Sequence, residues 1–202
     1  MNNITADKLP DQLLVSKVLS GDANAFAAII QNTEGLVAQL VFKMIPNNED
    51  RKDIAQDIYL KAFQQLQHFR FQSKLSTWIG QITYHTCLNY LEKKKLVFPG
   101  VAKTEDEEDP LELMSKLSAD WTNSETEKMI FQKELSGILK QETDRLPPLY
   151  KVLITLYHNA ELSYAEIGQI TQLPEGTVKN YLFRARKTLR NNLLLTYKKE
   201  AL

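Results

Sequence analysis

Residues 177–190 carry basic and amide side chains at a spacing that could contact DNA. The apolar residues of this stretch recur at the three- and four-residue spacing of one helix face, at Val178, Leu182, Ala185 and Leu189. Other side chains lie largely off that stripe, at Lys179, Asn180, Phe183, Arg184, Arg186, Lys187 and Arg190. A helix that buries one side and presents Arg, Lys and Asn on the other suits the DNA major groove. A solvated basic helix packed on a neighbour is the alternative that this segment alone leaves open.

A shorter helix is predicted just before this one. Ser163 is a favoured N-cap, and Glu166 three residues later completes a capping box. Leu162 and Ile167 can form the hydrophobic staple around that cap. Residues 173–176 include Pro174 and a glycine, which end the first helix and turn the chain. The segment therefore predicts a helix–turn–helix.

The sequence offers little for catalysis. Its histidines are scattered at His68, His85 and His158, and His85 and Cys87, two apart on a helix, cannot face the same way. There is no Gly-rich phosphate loop, HExxH or GxSxG motif. We therefore expect no enzyme activity, no cofactor and no metal site. The single cysteine excludes an intrachain disulfide framework.

Charge is distributed unevenly along the 202 residues, although the 25 basic and 25 acidic residues cancel. Residues 1–95 carry a net +2, residues 96–130 a net −6 and residues 131–202 a net +4. Lys and Arg contacts to phosphate supply much of the affinity for DNA, so we expect weak binding to naked DNA and a role inside a larger assembly.

Long stretches of helical periodicity and no predicted strand indicate an all-α fold. We expect two small helical domains, 1–95 and 124–202, joined by a flexible acidic linker at 96–123. Helices are predicted at 12–19, after Asp22, at 35–45, 49–68, 77–95, 124–144 and 149–158, followed by the helix pair. The 49–68 helix is expected to bury Ile54, Ile58, Leu60, Ala62, Phe63 and Leu66, and the 77–95 helix Trp78, Ile79, Ile82, Leu88 and Leu91.

No apolar run approaches the ~18 residues of a membrane span, and the N-terminus lacks the pattern of a signal peptide. We therefore expect a cytoplasmic protein with no membrane insertion of its own.

Four motifs in the first half and two in the second are similar to sigma factors. Residues 53–63 resemble the D-L-x-Q-E/D-x-F-x-x-A-W/F signature of sigma region 2, and residues 69–70, 76–79 and 89–91 resemble the F-R, S-T-W-L and N/D-Y-L runs that follow it. Sigma region 4 is resembled by two further stretches: residues 146–147 together with 162–168, followed by residues 174–190. In this order, over about 12–95 and 125–192, they resemble the extracytoplasmic-function (ECF) sigma factors of the sigma-70 family.

The resemblance implies a promoter-specificity subunit that binds the β′ clamp and β flap of core RNA polymerase. The residues that the resemblance implies for binding to the clamp are Asp53, Gln56, Asp57 and Lys61. At the promoter −10 element, where a base is flipped out of the duplex, it implies Arg70, Phe71, Gln72, Ser73, Lys74, Ser76, Thr77, Gln81, Lys93 and Lys94. At the −35 element it implies Ser163, Tyr164, Thr177, Lys179, Asn180, Phe183, Arg184 and Lys187. It also implies an anti-sigma partner.

The sequence departs from the family pattern in two places. Gln81, Tyr84, His85 and Thr86 stand where relatives often carry arginines, which shifts the expected −10 specificity toward the loop before that helix. Gly168 replaces the usual Ala at a cost of ~1 kcal/mol in helix propensity. A free-standing helix–turn–helix regulator with an N-terminal sensor or dimerisation domain is the alternative function.

Overall fold

The computed structural model describes Pro10–Lys94 and residues 137–200, with side chains to residue 195. The first part contains α1 (Asp11–Leu19), α2 (Ala23–Met44), α3 (Asn48–Gln65), a 3-10 turn (Leu66–His68) and α4 (Leu75–Lys93). The second contains α5 (residues 137–144), α6 (Pro148–Ile154), a π-helical turn (Thr155–Asn159), α7 (Tyr164–Thr171) and α8 (Glu175–Glu200). Every regular element in these ranges is helical, which confirms the all-α prediction. The predicted linker 96–123 and the start of the 124–144 helix lie outside the described residues.

Two compact units divide the described residues. The first joins the chain up to Lys94 with Thr155–Glu175, and the second joins the chain before Thr155 with the chain from Gly176 onward. Helix α7 thus belongs to the same unit as α1–α4, where it packs on α4. The expected division into domains at 1–95 and 124–202 stays a prediction.

Helix α2 is the centre of the first unit. It contacts α1, α3 and α4, and buries Ile29, Val37 and Leu40 among them. Burial of each large aliphatic side chain contributes roughly 1.5–3 kcal/mol relative to exposure. Two predicted helices are one here, because the helix runs through Gly35, where packing on three neighbours outweighs the ~1 kcal/mol cost of glycine.

Helix α2 is also long and apolar enough to cross a membrane, judged by length and composition alone. This corrects the expectation that no stretch would pass that test. The core helix of a protein can meet the same criterion of length and composition. Because α2 packs on α1, α3 and α4, the result is weak evidence for a membrane span.

Helix α4 buries a seam of small and hydroxyl side chains together with only some of the predicted large ones. Ile79 and Leu91 are buried as expected, whereas Trp78, Ile82 and Leu88 are only half-buried. The buried seam consists of Thr77, Gly80, Thr83, Tyr84 and Cys87. Threonine satisfies its hydroxyl inside a helix by bonding to a preceding carbonyl, as Thr83 Oγ1 does by donating to the Ile79 oxygen at 2.8 Å. Small side chains let a neighbouring helix approach closely.

Helix ends are fixed largely by side-chain caps. Asp22 accepts hydrogen bonds from two backbone amides at the start of α2, and Asn47 caps α3. Helix α4 has no cap from its own Lys74, and instead Asp11 of α1 accepts the Leu75 amide at 2.8 Å. This long-range contact ties the start of α4, and the loop before it, to the first helix.

The second unit has its own buried residues. Val178, Leu182 and Ala185 of α8 are fully buried, as the apolar stripe predicts, while Leu189 is half-buried. The rings of Tyr150 and Tyr181 lie 5.9 Å apart. The predicted 149–158 helix is split, since its last turn widens into the π-helical Thr155–Asn159.

Candidate nucleic-acid and partner interface

One face of α3 is open and acidic. Asp53, Gln56 and Asp57 are all exposed, and their spacing places them on one side of the helix. Leu60, three residues past Asp57, is 55% exposed on the same side. We call Asp53, Gln56, Asp57 and Leu60 the α3 face. The prediction that Leu60 lies in the core is wrong, and its spacing from Asp53 and Asp57 was the signal that could have placed it here.

The fourth residue expected on that face is held differently. Lys61 is half-buried, and its ammonium donates to Thr86 Oγ1 of α4 at 3.3 Å. Phe63, also predicted to be core, is 52% exposed, with its ring edge-on to Phe26 at 5.0 Å. Exposed apolar side chains in a cluster commonly mark a partner surface.

The loop before α4, residues 69–74, is built on three aromatic rings. Phe69 is buried, and its ring lies 4.7 Å from that of Phe71 and 5.1 Å from that of Trp78. Phe71 is 43% exposed and has a φ of 57°, in the left-handed region that bulky residues rarely adopt. Such strain persists only where the surroundings enforce it, and it often marks a functional site. We call residues 69–74 the α4 loop.

A cavity of about 310 Å³ opens beside the α4 loop. It is lined by His68, Phe69, Arg70, Gln72, Ser73, Trp78, Gln81 and Gln169. We call it the loop cavity. The lining combines ring faces with amide and guanidinium donors, the groups that stack on and hydrogen-bond to a nucleobase. Arg70 and Gln72 are exposed, and Ser73 is half-buried.

A second cavity of about 330 Å³ lies between α3 and α4. It shares Trp78 and Gln81 with the loop cavity, and its other lining residues are Lys61, Gln65, Ile82, His85, Thr86 and Asn89. Nε2 of His85 is buried there without a hydrogen-bond partner among the described residues. Gln81 therefore lies between two polar hollows.

The expected DNA contacts on α4 differ in accessibility. Ser76 and Gln81 are half-buried, and Lys93 is exposed. Thr77 is only 1% exposed, since it belongs to the buried seam, so its hydroxyl does not face solvent in this structure.

Lys94 is exposed but already engaged. Its ammonium pairs with Asp50 Oδ2 at 2.9 Å and lies 4.9 Å from the centre of the Tyr90 ring. The Tyr90 hydroxyl also donates to that carboxylate, and these two bonds, with Tyr90 first, lower the pKa of Asp50. A phosphate would have to compete with Asp50 for Lys94.

Helix α7 begins at the predicted capping box. Ser163 Oγ accepts the Glu166 amide, and Glu166 Oε2 accepts the Ser163 amide at 2.9 Å. The other carboxylate oxygen, Oε1, lies 2.8 Å from the Lys74 ammonium of the α4 loop. The Lys74 contact, followed by the bonds from Ser163, lowers the pKa of Glu166 to about 2.

The turn after α7 depends on Gly168. A Cβ at this position would lie 2.8 Å from the Leu173 carbonyl oxygen, closer than real Cβ contacts allow. Gln172 caps the helix in the left-handed conformation with a φ of 59°. The glycine is thus required by the tight turn, and the interpretation of Gly168 as a simple cost in helix propensity is incomplete.

The expected −35 contacts lie on two helices. Ser163 is exposed, and Tyr164 of α7 stacks on Tyr157 at 5.2 Å with an interplanar angle of 15°. On α8, Lys179, Asn180 and Lys187 are exposed, while Thr177, Phe183 and Arg184 are half-buried. Burial raises the pKa of Tyr150, and the Arg184 guanidinium bonded to its hydroxyl opposes that rise. Arg184 therefore already makes a hydrogen bond to Tyr150 within its own unit.

No group of three or more His, Cys, Asp or Glu residues that could hold a metal ion occurs in the described ranges. Cys87 is fully buried, and burial raises the pKa of its thiol to about 12.

Two family descriptions match the chain. Residues 29–97 match "Sigma-70 region 2", and residues 136–189 match "Sigma-70, region 4". ECF RNA polymerase sigma factor SigW of Bacillus subtilis is 33% identical over 89% of this chain and 94% of its own length. ECF RNA polymerase sigma-E factor of Escherichia coli is 32% identical over 93% of this chain and 96% of its own length.

Two solved structures have a similar fold. One is the structure of CnrH in complex with the cytosolic domain of CnrY, with a TM-score of 0.60, 16% identity, and coverage of 91% of this chain and 96% of that one. The other is sigma factor RpoE with the anti-sigma factor NepR from Bartonella quintana, with a TM-score of 0.55, 17% identity, and coverage of 88% and 97%. At these identities the likeness concerns the fold.

Proposed function

The chain belongs to the ECF RNA polymerase sigma factors of the sigma-70 family, and from that premise we propose which surface does which part of the work. It is a promoter-specificity subunit of RNA polymerase. The observation that carries the assignment of roles is the α4 loop, where an exposed, strained Phe71 borders a polar cavity. Neither feature is needed to hold a helical core together.

The α3 face is the proposed docking site for the β′ clamp of core polymerase. It offers exposed Leu60 next to the carboxylates of Asp53 and Asp57 and the amide of Gln56. Protein interfaces combine an apolar centre and a polar rim in this way. Lys61 is proposed as a further contact of this docking site, and its ammonium also donates a hydrogen bond to Thr86 of α4. Contact with the β flap is assigned to the second domain.

The loop cavity is the proposed receptor for a non-template base of the −10 element. Extruding a base costs a few kcal/mol of stacking and pairing, and a pocket that stacks and hydrogen-bonds the extruded base offsets that cost. Phe71 supplies the ring, and Arg70, Gln72 and Ser73 supply the polar contacts. Lys93 contacts phosphate beyond the pocket.

Helix α8 is the proposed reader of the −35 element. Exposed Lys179, Asn180 and Lys187 follow one another along its outward side, where they can contact base edges and phosphates in the major groove. The remaining expected contacts are proposed to bind the DNA backbone beside that helix. They are Ser163 and Tyr164 at the start of α7, and Thr177, Phe183 and Arg184 on α8.

We assign polymerase binding and −10 recognition to a domain at 1–95, and −35 recognition to a domain at 124–202, with 96–123 as the linker. An anti-sigma protein is proposed as a further partner, since one fold neighbour is a sigma factor held by the anti-sigma factor NepR. The proposed site of action is the cytoplasm, together with polymerase.

Transcription with purified core polymerase on a promoter library tests this function. We expect initiation at defined promoters that core alone does not use. A free-standing regulator would instead bind duplex promoter DNA tightly in a gel shift without polymerase. Initiation no higher than that of core alone would overturn the assignment.

A further inference from the structure

Tyr150 is a buried tyrosine of α6 that contacts the proposed −35 helix. Its side chain is in a residue only 5% exposed, and its hydroxyl is hydrogen-bonded to the guanidinium of Arg184 on α8. Both residues belong to the second unit. We propose that Tyr150 is a positioning residue for promoter binding, which orients Arg184 toward a backbone phosphate of the −35 element. This inference rests on the proposed function, because Arg184 is one of its −35 contacts.

The place of Tyr150 is fixed by the first turn of α6 and by a ring contact. Pro148 begins the helix, a position for which the fixed φ of proline is suited. The Lys151 amide closes the first turn by donating to the Pro147 oxygen at 3.0 Å. The ring of Tyr150 lies 5.9 Å from that of Tyr181 on α8, at an interplanar angle of 54°. The hydroxyl is therefore held at a defined point against α8.

Arg184 lies on the side of α8 that carries two exposed residues of the proposed −35 contacts. Asn180 precedes it by four residues and Lys187 follows it by three, the spacings that bring helical side chains together. Asn180 and Lys187 are exposed, whereas Arg184 is half-buried. Arg184 thus stands at the boundary between the proposed DNA surface and the buried contact with Tyr150.

Tyr150 binds the guanidinium without cancelling its charge. Burial raises the pKa of the Tyr150 hydroxyl, so this group is neutral at physiological pH, and the guanidinium, which has only donors, donates to its oxygen. Lys94 is held differently, since its ammonium pairs with the Asp50 carboxylate at 2.9 Å. A phosphate must compete with Asp50 for Lys94, whereas at Arg184 it meets a full positive charge that is already held in place.

One hydrogen bond to Tyr150 leaves most of the guanidinium available. The group has five N–H donors, and a bidentate contact to a phosphate uses two parallel ones. A long side chain loses rotamer freedom when it binds a partner, and this loss weakens binding. Because Tyr150 restricts Arg184 before DNA arrives, less of that freedom remains to be lost at the promoter.

Promoter binding by holoenzyme, assembled from core polymerase and the full chain, tests the role of Tyr150. Tyr150→Phe removes the hydroxyl and keeps the ring against Tyr181. We expect it to weaken binding to a labelled duplex promoter fragment about three- to tenfold, the range that loss of one hydrogen bond supports. Tyr181→Phe makes the same change in the neighbouring ring and should bind like wild type. If the bond instead kept Arg184 away from DNA, Tyr150→Phe would bind more tightly, which would overturn the proposal.

Methylphosphonate substitution in the −35 element separates positioning from a purely structural role, because it removes the charge of one backbone phosphate at a time. Wild type should lose affinity at the phosphate that Arg184 contacts, and both Tyr150→Phe and Arg184→Ala should lose little there. The double variant should bind like Arg184→Ala alone, since the hydroxyl acts through the guanidinium. Additive losses, or the same sensitivity of wild type and Tyr150→Phe at every phosphate, would overturn the proposal.

Circular dichroism and urea denaturation of the full chain confirm that Tyr150→Phe and Tyr181→Phe remain folded. Promoter-dependent initiation by wild type, together with unchanged promoter binding by Tyr150→Phe, would overturn the positioning role alone. Absence of promoter-dependent initiation by the wild-type chain would overturn the proposed function instead.

Discussion

The α3 face and the α4 loop are both polar surfaces of one helical unit, yet they are presented differently. Asp53, Gln56 and Asp57 are exposed around an exposed Leu60. In the α4 loop, Lys74 is paired with Glu166 and the cavity is shared with Gln169.

The difference indicates an order of events. The proposed polymerase surface is available in the free chain, whereas the proposed promoter surface is partly occupied by the chain itself. Core polymerase can therefore bind first, and separation of α7 from α4 can follow. This order agrees with a net charge of zero, which gives the free chain little attraction for DNA.

The largest expected effect concerns the α3 face. Leu60→Asp should weaken core polymerase binding about thirtyfold, or ~2 kcal/mol, because it places a charge at the apolar centre of an interface. Leu19→Asp is the matched control, since Leu19 is 56% exposed and Leu60 55%. Fluorescence titration of core with labelled variants measures the difference. Equal losses for both variants would remove Leu60 from the interface.

The next effect separates the α4 loop from the α3 face. Phe71→Gly should reduce promoter melting about tenfold, within the 1–3 kcal/mol that one aromatic–base stack supplies, and should leave core binding unchanged. Stability should change little, because glycine adopts the φ of 57° without strain and this gain offsets the lost packing on Phe69. Permanganate reactivity of the −10 element measures melting, with Phe42→Ala, at a 62% exposed ring, as the control. Normal melting by Phe71→Gly would contradict the role of the ring.

Two glycine substitutions should change stability in opposite directions. Gly168→Ala should lower the free energy of unfolding by ~1 kcal/mol, since overpacking against the fixed Leu173 carbonyl costs more than helix propensity returns. Gly35→Ala should raise it by roughly 0.5–1 kcal/mol, because nothing lies within 4 Å of its Cβ position. Urea denaturation measures both. A stabilised Gly168→Ala would mean that the turn adjusts freely.

The smallest effect is a pH dependence. The pKa of Glu166 is lowered to about 2 from 4.5, so its contribution to stability is present above pH 4.5 and is lost as the pH falls toward 2. Wild type should be more stable than Glu166→Gln at neutral pH, and the two melting temperatures should converge between pH 4.5 and 2. A constant difference over that range would indicate that Glu166 acts without its charge.

Local sequence rules predicted most of the helices and caps. The capping box at Ser163 and the buried stripe of α8 follow from spacing alone. Leu60 and Phe63 were misplaced because hydrophobicity does not distinguish a core side chain from a partner-facing one. The small-residue seam of α4 was missed because Gly80 and Thr83 are buried only through what packs on them.

The close approach of α7 to α4 could not be predicted from sequence. Glu166 has a complete local explanation as the capping partner of Ser163, and nothing in the sequence shows that its second oxygen meets Lys74, far along the chain. Long-range contacts of this kind depend on which side-chain faces the packed helices leave available.

A zero-length carbodiimide cross-link between Lys74 and Glu166 tests the order of events most directly, because it forms an amide only where an ammonium and a carboxylate are in contact. Lys94 and Asp50, paired at 2.9 Å between the end of α4 and the start of α3, are the positive control for the reaction in the free chain. Mass spectrometry should find the Lys74–Glu166 and Lys94–Asp50 cross-links in the free chain, and the Lys74–Glu166 cross-link should be lost once the chain is bound to core polymerase on an open promoter. A Lys74–Glu166 cross-link of equal yield in the transcribing complex, or its absence from the free chain, would contradict the account.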